Sequence, residues 1–311
     1  MGGEGKERIA VIGAGLMGHG IAQVFAAHGH AVSLVDLERE RLDAALANIR
    51  GNLQAMAAYG SVRDGDIDGI VARIFTSTRL EEACAGANFV VEAVSEQPAL
   101  KRGVFRELDA LCPPRTVLAT NTSVISITEV AGEAARRERV VGAHFWNPPY
   151  LIPLVEVVPG RDTAPWALDR TCDLLRAAGR HPVRVKKDVP GFVGNRMQHA
   201  LWREAISIVE HGIADAETVD EVVKMGFGMR LPVLGPLENA DMIGLDLTLQ
   251  IHGYILEHIE DSHAPSPLLE EKVEGGELGF ASGGGFRGWA PEEIEACRTR
   301  LQRHLMGWGS G

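Results

Sequence analysis

A chain of 311 residues is too long for one small core and suits two domains of ordinary size. The formal net charge is −11 with no basic cluster, which argues against a nucleic acid or an anionic membrane as partner and for a small molecule. No uninterrupted apolar stretch reaches the ~18 residues a bilayer-spanning helix needs. Met1–Arg8 is glycine-rich and charged, without the apolar centre of a signal peptide, so the cytoplasm is the expected compartment. Cys84, Cys112, Cys172 and Cys297 are scattered without CxxC or Cys/His spacing; they read as buried thiols, and no metal is expected.

In chain order, the apolar run Ile9–Ile12 reads as a buried parallel strand followed by Gly13-Ala-Gly15-Leu16-Met17-Gly18 at the start of a helix. Each glycine has its own reason: Gly13 for a tight turn, Gly15 for close approach of a pyrophosphate, and Gly18 for packing of the next helix. Leu16 and Met17 lie in the same turn, whose amide groups would hold the anion. Asp36 closes a second strand, Ala31–Val35, where a carboxylate bonds ribose hydroxyls and repels a 2′-phosphate. The expected cofactor is therefore NAD rather than NADP.

Strand and helix patterns continue to alternate: strands at Asn88–Val94, Thr116–Thr120, Val140–Phe145 and Leu154–Val158, and helices at Met17–His28, Glu38–Tyr59 and Pro98–Leu111. That is the mark of a Rossmann-type doubly wound α/β sheet. The stretch 38–73 is too long for one crossover helix; with a turn at Gly60–Asp66 it reads as a projecting helical hairpin. Beyond the hinge-like Lys186-Lys-Asp-Val-Pro190-Gly191 the apolar spacing becomes helical, with candidates Phe192–His211, Asp215–Met225 (Asp215 as N-cap) and Ala240–Ile259. The expected division is 1–187, a dinucleotide-binding domain, and 188–311, an all-α domain for substrate binding. The glycine-rich 275–288 follows no strand and reads as a structural loop.

His144 at the end of one strand and Glu156 on the next form the expected catalytic pair. Oxidising an alcohol removes a hydride from carbon and a proton from oxygen, so a base must stand within hydrogen-bond reach of the hydroxyl. An imidazole, which titrates near about 6.5 when unperturbed, can take that proton, and a carboxylate can orient it. Asn121-Thr-Ser123 follows a strand at the carboxyl edge of the sheet, where open α/β sheets bind ligands.

Gly13-Ala-Gly-Leu-Met-Gly18, Val91-Glu-Ala-Val-Ser-Glu96, Asn121-Thr-Ser123, His144-Phe-Trp-Asn147-Pro, Val155-Glu156-Val and Pro190-Gly-Phe-Val-Gly-Asn195-Arg together resemble the L-3-hydroxyacyl-CoA dehydrogenase family. The similarity runs in order from Arg8 to the Phe286 region. The resemblance implies that His144 is the general base and Glu156 its partner, and that Ser123 and Asn195 contact the substrate oxygen or the histidine. It places Glu96, Lys101, Ser123 and Asn147 along the cofactor, and it implies a homodimer through the helical domain.

Acyl-CoA members of the family set a serine and a lysine in the hairpin; counted without gaps from Asp36, these positions fall on Asn52 and Tyr59, and 51–76 contains no lysine. Trp146 replaces a phenylalanine usual in those members, and Pro149-Tyr150-Leu-Ile-Pro153 resembles relatives acting on free hydroxy acids, such as carnitine and gulonate dehydrogenases and lambda-crystallin. Lys186-Lys-Asp-Val-Pro-Gly-Phe and Gly226-Phe-Gly-Met-Arg230 are similar to members acting in vitamin B6 breakdown. The expected reaction is NAD-dependent oxidation of a secondary alcohol beta to a thioester or carboxylate. Acyl-CoA is the core activity of the family, a free hydroxy acid is the alternative, and a non-catalytic dinucleotide-binding protein is the rival from another class. Arg230 is a candidate clamp for a substrate carboxylate, or merely a cap on the preceding helix.

Overall fold

A computed structural model describes residues 6–307; Met1–Gly5 of the amino-terminal stretch lie outside the described residues. Eight strands form one sheet: β1 (Arg8–Ile12), β2 (Ala31–Val35), β3 (Ile74–Ser77), β4 (Phe89–Glu92), β5 (Val117–Thr120), β6 (Val140–Phe145), β7 (Leu154–Pro159) and β8 (His181–Arg184). Their order is β3-β2-β1-β4-β5-β6-β7-β8, and every pairing is parallel except β6 with β7. The strand order reverses between β1 and β4, the switch point at which such sheets open a crevice at their carboxyl ends.

Helices α1 (Leu16–Ala27), α2 (Arg39–Ala58), α3 (Ile67–Val71), α4 (Leu80–Cys84), α5 (Pro98–Leu111), α6 (Ile127–Val130) and α7 (Pro165–Ala177) connect the strands. They complete two apolar clusters, one around Phe25, Leu34, Phe89 and Phe145, the other around Phe105, Leu118, Ile127 and Phe192. Two sequence expectations shift here. The stretch after α2 is a hairpin with a short second arm, and it delivers the edge strand β3, too brief and too exposed at Phe75 to stand out by pattern.

The remaining helices are α8 (Gly194–Glu210), α9 (Ala216–Met225), α10 (Pro236–Ile243), α11 (Leu245–Ile255), α12 (Pro267–Glu274) and α13 (Pro291–Gly307). Asp215 caps α9 by accepting from the Thr218 amide at 2.7 Å. The single helix expected over 240–259 is split at Gly244, whose φ of +107° only glycine adopts readily. By contacts the chain divides into one unit up to Asn195 together with residues from Arg303 on, and a second, Arg196–Gln302. The first therefore runs past the boundary expected at 187 and takes in the first residues of α8 and the end of α13.

The back of the first unit is held by a buried charge cluster. Asp109 on α5 accepts from Arg139 at 2.6 Å, from Arg136, and from the amides of Ala135 and Arg136, and Arg139 is fully buried. Burial alone would raise the Asp109 pKa, but the Arg139 guanidinium and these donors outweigh it and hold it below its ordinary value. Asp109→Asn should cost about 3–5 kcal/mol in urea unfolding, because Arg139 is left buried without a counter-charge; a loss under about 1 kcal/mol would contradict this reading. With the folded pKa lowered, this stabilisation is complete above the unfolded value of about 3.9 and is lost as pH falls through the folded one, so the gap between wild type and variant should close in acid.

Candidate active site

The glycine turn has the geometry its sequence suggests. Gly13 has φ +100°, and a Cβ there would meet the Ala93 carbonyl oxygen at 2.6 Å. A Cβ on Gly18 would lie 1.8 Å from the Gly13 carbonyl oxygen, so α1 approaches the turn only because residue 18 has no side chain. Above Gly15 there is nothing within 4 Å, which leaves the space a pyrophosphate needs. Leu16 is exposed at the head of α1 and Met17 packs on the core. Asp36 Oδ2 accepts from the Ala14 amide at 2.8 Å, so the Asp36 carboxylate and the glycine turn are built as one piece. These residues fit NAD, with a carboxylate where NADP would bring a phosphate.

At the carboxyl ends of β4 and β5 a second polar group forms. Glu92, Lys101 and Thr120 are buried together: Lys101 Nζ donates to Glu92 Oε1 at 2.8 Å and to the Val94 carbonyl at 3.3 Å, and Thr120 Oγ1 donates to Glu92 Oε2 at 2.7 Å. Lys101 also pairs with Glu96 Oε2 at 3.2 Å. Glu96 Oε1 in turn accepts from Thr122 Oγ1 at 2.5 Å, the Ser123 amide at 2.8 Å and the Val124 amide at 3.3 Å. Burial pushes the Glu96 carboxyl up, but Thr122, Lys101 and the Ser123 amide hold it below its usual value. Asn195 Nδ2 donates to the Ser123 carbonyl at 3.1 Å. Ser123, Asn195, Glu96 and Lys101 are thus brought together, with Lys101 buried behind the others.

His144 and Glu156 stand directly opposite each other across the antiparallel β6–β7 pair. Both are buried, and His144 Nδ1 lies 2.9 Å from Glu156 Oε2. With Nδ1 given to the carboxylate, Nε2 is the nitrogen able to take a proton. Glu156 Oε1 accepts from the amides of Val193 and Gly194, each at 3.0 Å. Burial raises the Glu156 pKa; His144 and these two amides outweigh it, and the carboxyl sits below its ordinary value and stays ionised. The imidazole is flanked by Trp146, at 5.4 Å between ring centroids, and by Phe192, at 5.8 Å.

The signal for Phe192 is not visible in the sequence: it adopts φ +47° after Gly191 at +75°, and this backbone aims the Val193 and Gly194 amides at Glu156. Gly194 carries no side chain because Trp146 fills its place; a Cβ would lie 2.3 Å from the indole. Asn121, quoted above only as part of a motif, accepts from the Phe145 amide at 2.8 Å and fixes the strand end that bears His144. Asn147 is exposed just beyond it and precedes Pro148 through a cis peptide bond.

The hairpin position Asn52 is turned inward. It donates to Gln23 Oε1 at 3.1 Å and accepts from the Tyr150 hydroxyl at 3.0 Å. Tyr59 bonds Arg303 at 2.9 Å. Arg180 secures the loop that carries Tyr150 by donating to the carbonyls of Pro149 and Ile152. Arg230 belongs to the second unit, where it is exposed at the end of a 3-10 turn over Phe227–Met229. Among the described residues no group of His, Cys, Asp and Glu is arranged to hold a metal, and no helix is long and apolar enough to cross a membrane.

Comparison with known proteins agrees with this geometry. Residues 8–189 match the NAD-binding domain of 3-hydroxyacyl-CoA dehydrogenase, and 191–289 match its C-terminal domain. The chain is 36% identical over 298 residues to 5-formyl-3-hydroxy-2-methylpyridine 4-carboxylate 5-dehydrogenase of Mesorhizobium japonicum, covering 96% of each. It is 41% identical over 281 residues to a probable 3-hydroxybutyryl-CoA dehydrogenase of Bacillus subtilis, covering 90% of this chain and 96% of the relative. A solved structure of a 5-formyl-3-hydroxy-2-methylpyridine 4-carboxylic acid 5-dehydrogenase, described as an NAD+-dependent dismutase, superposes with a TM-score of 0.89 at 34% identity over 97% of both chains. The chain belongs to the 3-hydroxyacyl-CoA dehydrogenase family, NAD-dependent oxidoreductases that act on CH–OH groups.

Proposed function

We propose that the substrate is a small hydroxy acid that carries its own free carboxylate, oxidised at its alcohol carbon with His144 as the base. The observation that carries the substrate class is the inward lock of Asn52 on Gln23 and Tyr150. A coenzyme A nucleotide brings a 3′-phosphate and a pyrophosphate, which call for cations. The hairpin has no lysine, and each of its five arginines has a partner at the protein surface: Arg39 with Thr76, Arg41 with Glu38, Arg50 with Asp68, Arg63 with Asp66, and Arg73 with the Ala26 carbonyl. The likeness to the pyridine-carboxylate dehydrogenase supports the same reading. The 41% identity to the 3-hydroxybutyryl-CoA relative favours the second reading, an acyl-CoA thioester.

The Gly13–Gly18 turn and Asp36 would hold NAD, which would supply the hydride acceptor. His144 Nε2 takes the hydroxyl proton as the hydride leaves carbon, Glu156 stabilises the imidazolium through Nδ1, and Ser123 and Asn195 orient the substrate oxygen. Asn147 and Glu96 would border the cofactor, with Lys101 buried behind Glu96, and Arg230 is the candidate carboxylate clamp. The cytoplasm is the compartment assigned on this reading, and the four unpaired cysteines suit its reducing conditions.

The same reading includes a homodimer through the helical unit. No residue from 196 to 302 is buried, and Leu237, Leu249 and Tyr254 are more than two-thirds exposed. An all-helical unit without an interior of its own needs a partner surface, and a second copy supplies one with matching faces.

Three measurements test these assignments. His144→Gln should lose roughly 10²–10⁴-fold in turnover while NADH still binds by fluorescence; near-normal turnover refutes the base. In a panel following NADH with carnitine, gulonate, hydroxymethyl pyridine carboxylates and 3-hydroxybutyryl-CoA, a free acid should lead the thioester in kcat/KM by at least about tenfold, the worth of one absent cation–phosphate contact. Preference for the thioester decides for the second reading. Light scattering should return twice the chain mass at micromolar concentration; a monomer there excludes the dimer.

A further inference from the structure

Lys101 occupies a position where the helix pattern calls for an apolar residue. The buried positions of α5 are Lys101, Phe105, Leu108 and Asp109, one face at helical spacing, and Lys101 is 1% exposed. Its ammonium has three protons and three acceptors: Glu92 Oε1 at 2.8 Å, Glu96 Oε2 at 3.2 Å and the Val94 carbonyl at 3.3 Å. Two of these are hydrogen bonds and the third an ion-pair contact, so the buried ammonium is held by the protein's own oxygens. A buried ion pair contributes little to net stability, since desolvation offsets most of the attraction. Stability gives no reason to place a lysine on this face.

The geometry points to Lys101 as a positioning residue that acts through Glu96 on Ser123. Glu92 neutralises the buried ammonium and is itself anchored by the Val94 amide at 2.7 Å and by Thr120. Lys101 then pins one oxygen of Glu96, so that the other oxygen collects Thr122 Oγ1 and the amides of Ser123 and Val124. Asn195 holds the Ser123 carbonyl from the opposite side. Ser123 is gripped at both of its peptide groups, and its hydroxyl is presented at the carboxyl edge of the sheet by a chain of contacts that starts in the interior. The inference rests on the proposed substrate role of Ser123.

The test uses the full-length protein with Lys101→Met, and with Glu92→Gln/Lys101→Met so that no buried carboxylate is left without its counter-charge. Hydrogen exchange of the peptide covering 122–125 should quicken at least about tenfold in both variants, equivalent to losing roughly 1.4 kcal/mol of local protection, with exchange at β1 and α1 unchanged. For the substrate the panel identifies, kcat should fall roughly tenfold to a hundredfold, the cost of about 1 Å of misplacement, while the NADH dissociation constant stays within about twofold. Ser123→Ala introduced into Lys101→Met should add little further loss. Unchanged exchange at 122–125 overturns the positioning role. Weakened NADH binding with kcat intact overturns it in favour of direct cofactor contact. Fast exchange together with full turnover of Ser123→Ala shows instead that the substrate role of Ser123 has failed, and the inferred effect on catalysis falls with it.

Discussion

The antiparallel pairing of β7 with β6 is the constraint on which the site depends. It sets His144 and Glu156 face to face in one ladder, where opposite side chains stand about 4.5–5.5 Å apart at Cβ. A buried carboxylate in that position is costly unless its lone pairs are filled. Here one oxygen is filled by the imidazole and the other by the Val193 and Gly194 amides, so the carboxylate that orients the base also fastens the chain where it enters α8. The left-handed backbone at Gly191 and Phe192 makes this possible, because it turns two successive N–H groups toward one oxygen. Its strain is met by burying Phe192 against the imidazole.

Glu96 and Asp188 follow the same plan. Asp188 accepts from Ser126 Oγ, Thr128 Oγ1 and the amides of Ile127 and Thr128, fixing the segment that follows β8 to the first turn of α6. In each case burial alone would raise the carboxyl pKa, and the donors reverse the sign: Thr122, Lys101 and the Ser123 amide at Glu96, His144 and two amides at Glu156, and the Ser126 and Thr128 hydroxyls with two amides at Asp188. The loops at the carboxyl edge are therefore held by ionised groups whose donors come from the chain itself. Such loops keep their geometry through substrate binding and release, which suits a reaction that needs hydride and proton acceptors in fixed positions.

Much of this was legible because single residues carried separate physical demands. Gly13, Gly15 and Gly18 could each be given a reason from order alone; the reasons for Gly13 and Gly18 reappear as close contacts, and Gly15 faces clear space. His144 and Glu156 lay on successive strands, so their meeting required only the right ladder. What stayed hidden depends on contacts distant in sequence or on local backbone. The Asn52–Tyr150 bond spans 98 positions, and nothing near either residue announces it. The positive φ of Phe192 has no residue signature, since bulky side chains rarely adopt it. The burial of Lys101 is hidden too, because charge patterns do not reveal which face of a helix is turned inward. β3 is only four residues long, and its pattern is broken by the exposed Phe75.

On the proposed reading, the hairpin is a surface that changes use without a change of fold. Asn52 is committed on both ends of its amide, to Gln23 on α1 and to Tyr150 in the loop beyond β6. That loop rests on α1 at Gly20, where a Cβ would come within 2.6 Å of Pro149. Freeing Asn52 for a ligand would leave the amide of Gln23, which is 1% exposed, short of a partner, at a cost of about 1–3 kcal/mol. An anionic nucleotide would have to repay that cost with no lysine in the hairpin and by drawing arginines from the partners they already hold. A compact acid leaves this network intact, and its recognition can be concentrated beside His144, where any interaction gained in the transition state lowers the barrier to hydride transfer.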